Sequence, residues 1–144
     1  MVNVLYPDTR VFKVALWKFL TSNLSLKEII NFSQQHPKTS TDIENGKTRI
    51  VLTPTGNAGF GDKLTRTIAA PTIRFTGYAT QESSCDNAIQ ELIEALENWS
   101  PSLFEMTDQV LQFIAPEQRI ECLFNEQINL YFGSVIYKFH LSRQ

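Results

Sequence analysis

The order of the patterned segments constrains this chain more than any cluster of reactive residues. A helical N-terminus is followed by two strand-like runs. Then comes an acidic amphipathic helix, and then two more strand-like runs that end almost at the C-terminus. The order α-β-β-α-β-β specifies an α+β fold: one domain over residues 1–144, with a mainly antiparallel sheet packed by helices on one face. At 144 residues the chain is long enough to bury a sizeable core, and ten Phe, four Tyr and two Trp supply large anchors for it. Its 42% hydrophobic and 19% charged residues exclude a disordered chain.

Each segment has its own signal. Asp8 is placed to cap a helix whose apolar positions Val11, Phe12, Ala15, Leu16, Phe19 and Leu20 recur at three- and four-residue spacings. Ser25-Leu26-Lys27-Glu28 has the form of a capping box opening a second, short helix with Leu26, Ile29, Ile30 and Phe32, which stops before His36-Pro37. Residues 36–47 are polar and read as a loop. Thr48 to Thr53 reads as a strand, residues 54–65 as a glycine-rich connection, and Arg66 to Ala79 as a strand. Pro71 favours an edge or a bulge in that last strand.

The clearest helix follows. Ser83 or Ser84 caps it, Asp86 lies in its first turn, and Ala88, Ile89, Leu92, Ile93, Leu96 and Trp99 form its apolar stripe before Ser100-Pro101 ends it. Within 102–117, Val110, Leu111, Phe113 and Ile114 fit either a short strand or a helical turn. Arg119 to Phe124 alternates with Ile120, Cys122 and Phe124 together, residues 125–129 make a polar turn, and Leu130 to Leu141 is the closing strand. There Tyr131, Val135, Tyr137, Phe139 and Leu141 share one face, while Ser134, Lys138 and His140 share the other.

Charge excludes some functions and suggests others. A net charge of −2 argues against nucleic-acid binding. The absence of a long apolar run or a basic-then-apolar leader argues against a membrane span or export. The charge is uneven, however. Residues 1–80 carry ten basic and five acidic side chains, and residues 81–144 carry three basic and ten acidic. Two readings stand. One is a dipolar surface without a role. The other is self-complementarity, in which one side of a subunit attracts the other side of its neighbour, closing a ring or running into a filament.

No catalytic, cofactor or metal set emerges. Gly56-Asn57-Ala58-Gly59-Phe60-Gly61-Asp62-Lys63 follows a strand and nearly matches a phosphate-binding loop. Asp62 intrudes before Lys63, Leu64 stands where a hydroxyl is needed, and a strand rather than a helix follows. The run reads as a hairpin loop, or as a docking loop in which Asn57, Phe60, Asp62, Lys63 and Arg66 meet a partner. His36 and His140 lack ligands at metal spacing, and no motif supports Cys122 with His140 as a nucleophile and base. Cys85 and Cys122 lack redox or metal spacing and read as buried free thiols, although a disulfide remains open to them. Glu91, Glu94 and Glu97 read as a solvated helix face. In a ring the same three side chains would line a subunit interface or a negative channel that DNA passes without sticking.

The helix Val11 to Leu20, the strand pair Arg49 to Leu52 and Thr72 to Ala79, the helix Ala88 to Leu96 and the strand Leu130 to Leu141 together resemble the tail terminator proteins of long-tailed bacteriophages. The resemblance is topological and spans most of the chain. It implies a non-enzymatic structural protein, without cofactor, that forms a ring, usually hexameric, at the head-proximal end of the tail tube. Such a ring stops tube polymerisation and joins the tail to the neck or head. The partners it implies are further copies of this chain, the tail tube protein and the neck or connector proteins. The location it implies is the virion, after synthesis in the host cytoplasm. Another head-tail junction ring, such as a connector or head-closure protein, is the nearest alternative. A small ferredoxin-like ligand-binding module is the alternative of a different class, and it should show a concave, mostly apolar pocket.

Overall fold

The computed structural model of the chain describes residues 9–44, 46–60, 68–100, 103–107 and 109–143. It is an α+β fold in which three helices cover one face of a five-stranded mixed sheet. The elements are α1 (Thr9–Thr21), α2 (Leu24–Ile29), β1 (Ile30–Ser33), β2 (Thr48–Phe60), β3 (Ile68–Ala79), α3 (Glu82–Glu97), β4 (Gln109–Asn125) and β5 (Leu130–Arg143). The strand order is β1-β2-β3-β5-β4. β1 is parallel to β2, and the other three pairings are antiparallel.

The first difference from the sequence reading lies at Ile30. The second helix ends at Ile29, and the chain turns directly into β1, pairing Ile30 with Thr48 and Phe32 with Ile50. Ile29, Ile30 and Phe32 satisfy helical spacing, but the parallel edge of β2 offers backbone partners that the continued helix would leave exposed. The start also moves. Asn23, not Ser25, is the N-cap, with its side chain accepting a hydrogen bond from the Leu26 amide at 3.2 Å. Asp8 lies outside the described residues.

The second difference is the glycine-rich connection. β2 continues through Phe60, and Gly56, Asn57, Ala58 and Gly59 pair with Thr72, Pro71, Ala70 and Ala69. A bulge between Pro54 and Gly56 absorbs the proline. Pro71 therefore sits in an inner strand, where the pairing of β3 with β5 passes from Ala69↔Leu141 to Thr72↔Lys138 and skips Pro71. A proline has no N–H to give at that position.

The third difference resolves 102–117. From Gln109 the chain is strand, continuous with the run read from Arg119. Register irregularities fall between Leu111 and Phe113, Pro116 and Gln118, and Ile120 and Leu123. The β4–β5 turn places Asn129 at φ 57, and Asn125 accepts a hydrogen bond from the Gln127 amide at 2.9 Å. Asparagine suits both tasks.

The core lies between the helices and one sheet face. Phe12 of α1 meets Phe139 at 4.9 Å between ring centroids, and Phe75 packs edge-on to Tyr137 at 6.4 Å. α3 contributes Ala88, Ile89, Leu92 and Leu96, as its stripe predicts, and Cys85, which the stripe did not include. Each such large apolar side chain contributes about 1.5–3 kcal/mol on burial. The N-cap of α3 is Gln81, without a side-chain bond, so Ser83 and Ser84 lie in the first turn. Thr48 reaches across to donate to the Ser84 carbonyl at 3.1 Å. Trp99 lies past the helix end and packs edge-on to Phe104, which stacks on Phe19.

Candidate interaction surfaces

The bulge between Ile120 and Leu123 decides what β4 shows to solvent. Ile120 pairs with Ser134 and Leu123 with Phe132, so one extra residue is inserted opposite Gly133. That insertion reverses the alternation. Cys122 turns toward the helices and is buried, while Ile120 and Leu123 point to the helix-free face. The expected grouping of Ile120, Cys122 and Phe124 on one face is therefore not formed. Ile120 is 38% exposed, Leu123 58% and Phe113 50%. Phe113 stacks on His140 at 3.9 Å, and Phe132 stacks on Tyr78 at 6.4 Å. The helix-free face thus carries a stripe of apolar side chains along β4, an outermost strand of the sheet. Strand alternation with one extra residue carries no sequence signature, which is why this stripe was not legible beforehand.

The acidic helix face is where the stripe of α3 predicts. Glu94 and Glu97 are exposed and Glu91 is half-buried. Glu97 borders a shallow cleft of about 360 Å³ with Ile93, Glu117, Arg119 and Tyr137. Burial, reinforced by the Glu97 charge, pushes the Tyr137 hydroxyl above its ordinary pKa. Arg119 crosses to α3 and donates to the Gln90 side chain at 3.4 Å. Lys138 pairs with Glu117 at 3.5 Å. Exposed Lys13 and Lys18 on α1 and Lys27 on α2 carry the opposite sign within the same helical layer.

Of the docking-loop residues, Asn57 and Phe60 lie in β2, paired with Pro71 and Ile68. Asp62, Lys63 and Arg66 lie outside the described residues. The polar loop after β1 is tied to the sheet. The Asp42 carboxylate accepts from the amides of Lys38 and Thr39 at 2.7 and 3.4 Å, and those bonds hold its pKa below the ordinary carboxylate value. Arg49 donates to the Asp42 carbonyl at 2.7 Å, and His36 bonds the Tyr78 hydroxyl at 2.7 Å.

A cleft of about 470 Å³ opens between α1 and β2. Its apolar lining is Leu16, Trp17, Leu52, Pro54 and Ile73, and its polar lining is Lys13, Gln34, His36 and Thr53. Cys122 and His140 lie on opposite faces of the sheet, so the structure does not bring them together as a nucleophile and base. Burial lowers the pKa of His140, with Lys138 adding to the effect. Among the described residues no three His, Cys, Asp or Glu side chains gather as a metal site requires. No helix among them is long and apolar enough to cross a membrane.

No family model matches this sequence, and no curated protein is similar to it. Among solved structures, the chain is similar to a chain of the structure described as "Virion of native gene transfer agent (GTA) particle". The TM-score is 0.67 at 12% sequence identity, over 93% of this chain and 96% of the other. At that identity the similarity is one of fold.

Proposed function

We propose that this chain is a structural protein of a phage-like virion, and within it a tail terminator. Such a protein forms a homo-oligomeric ring, a hexamer by resemblance, at the head-proximal end of the tail tube. There it stops tube polymerisation and joins the tail to the neck or head. The observation that carries this reading is the match in fold, over nearly the whole of both chains, to a component of a virion particle. The topological resemblance drawn from the segment order points the same way. The chain acts by association, not by turnover, and needs no cofactor.

Its surfaces fit that role. The β4 stripe of Phe113, Ile120 and Leu123 offers apolar area of the kind a neighbouring copy buries. Basic α1 and acidic α3 give each subunit opposite charges for head-to-tail contacts. The segment that reads in sequence as a docking loop, with Asn57, Phe60, Asp62, Lys63 and Arg66, would meet an adjoining tube or neck ring. Glu91, Glu94 and Glu97 are available to a subunit interface or to a channel that repels the DNA passing through it. The protein is placed in the tail or neck of the particle after synthesis in the host cytoplasm.

Electron microscopy of the purified chain, alone and mixed with tail tubes, tests the reading. Rings, or a cap at one tube end, support it. A compact monomer that ignores both tubes and neck rings overturns it. A ring found on the neck and not on tubes selects the connector or head-closure role. The cleft lined by Trp17, Lys13 and His36 favours a second reading, a ligand-binding module. Saturable binding of a small molecule that quenches Trp17 fluorescence would select it.

A further inference from the structure

Cys85 is in the first turns of α3, and Cys122 is in the bulge of β4, 37 residues later in sequence. Their Sγ atoms are 2.8 Å apart, and both side chains are buried. Three features hold them there. The β4 bulge turns Cys122 inward, opposite Gly133. Gly133 has no side chain, and a Cβ at that position would lie 2.8 Å from the Cys122 Sγ. The Cys85 Sγ contacts the Gly77 carbonyl at 3.6 Å, on the strand next to Gly133.

We propose that Cys85 and Cys122 are a site of reversible disulfide formation, oxidised by a small-molecule disulfide, that staples α3 to the bulge of β4. The reaction runs in two exchanges. The Cys122 thiol, the more exposed of the two, loses its proton, attacks the small disulfide and expels one thiolate. Cys85, also deprotonated, then attacks the Cys122 sulfur and expels the second thiolate. Two protein thiols give up two electrons and two protons, and the small disulfide is reduced to two thiols.

The surroundings set the rate. Burial raises the pKa of both thiols, Asp86 raises both further, and Glu82 acts in the same sense on Cys85. Both acids are on α3, while β3 and β5 present Gly77 and Gly133. Few thiolates form at neutral pH, so exchange is slow, and the poise of the surroundings decides the end state: reduced in a reducing cytoplasm, oxidised outside it. The chemistry is independent of the role proposed above. Only its timing, after release of a particle from the cell, rests on that role.

The test is equilibrium oxidation of the purified chain in reduced and oxidised glutathione at mildly alkaline pH, reached by refolding so that access is not limiting. The same mixture is run in denaturant, and both are acid-quenched and weighed by mass spectrometry. The native chain should lose two hydrogens per chain without becoming a covalent dimer. Its oxidation constant should exceed that of the denatured chain on the order of 10²-fold. The oxidised form should melt about 5–10 °C above the reduced form. Cys85→Ser and Cys122→Ser should instead form no intramolecular disulfide and show no such rise. Equal oxidation constants in native and denatured chains would overturn the proposal, as would glutathione adducts or intermolecular dimers as the native product. The wild-type comparison decides even where a variant fails to fold.

Discussion

Gly77 of β3 and Gly133 of β5 face each other across the middle of the sheet, and the Ile89 side chain of α3 seats over both. A Cβ on Gly133 would lie 3.1 Å from Ile89 Cδ1, and one on Gly77 would lie 3.3 Å from Ile89 Cγ1. The paired glycines form the saddle that lets α3 approach the strands closely. The helix carrying the acidic face is held by the absence of two side chains.

Gly133→Ala should destabilise the fold by about 1–3 kcal/mol, because the new methyl overpacks Cys122 and also meets the Ile120 carbonyl oxygen at 3.1 Å. Gly77→Ala should cost less, since its new methyl would meet only side-chain atoms, none closer than 3.3 Å. Urea midpoints for the two variants check the order.

Leu123→Lys and Ile120→Lys should abolish self-association while leaving the stability of the isolated subunit within about 0.5 kcal/mol. Both side chains lie on the helix-free face and are already partly exposed. Sedimentation velocity, under conditions where the wild type forms rings, reads the first effect. Thermal unfolding reads the second.

Alkali should loosen the reduced protein through its thiols. Burial raises both thiol pKa values in the folded state above their ordinary value of 9.0, so the unfolded chain releases protons first. Their contribution is intact below pH 9.0 and is lost progressively above it. The urea midpoint should fall more steeply between neutral and alkaline pH for the wild type than for Cys122→Ala.

Acid should release the loop after β1. Asp42 has a lowered pKa because the Lys38 and Thr39 amides bond its carboxylate. The contribution of those bonds is present above the ordinary value of 3.8 and is lost as pH falls through the lowered one. Amide exchange at Lys38 and Thr39 should lose protection in that window, and Asp42→Asn should weaken it above the window and flatten its pH dependence.

The long amphipathic helix and the closing strand were legible because each repeats one period without interruption. Leu92 and Leu96 fall on the core side of α3, and Val135, Tyr137 and Phe139 on the core side of β5. What escaped the sequence were places where one residue breaks a period or where tertiary pairing overrides it. Ile30 and Phe32 fit a helix until the edge of β2 claims them. Gly56 to Gly59 have turn composition, yet small partners at Ala69 and Ala70 let them run as strand. The bulge at Ile120–Leu123 alone decides that Cys122 meets Cys85 and that Leu123 meets solvent. Glu94 and Glu97 fall on the exposed side of α3 with Glu91 half-buried beside them, because they complement its apolar stripe.

The most direct measurement is the length of tail tubes grown from purified tube protein of the same particle, with and without this chain added during growth. The terminator reading predicts that elongation stops, with a cap at one end of each arrested tube, and that Leu123→Lys fails to stop it. Tubes that grow to the same length with and without the chain would contradict it.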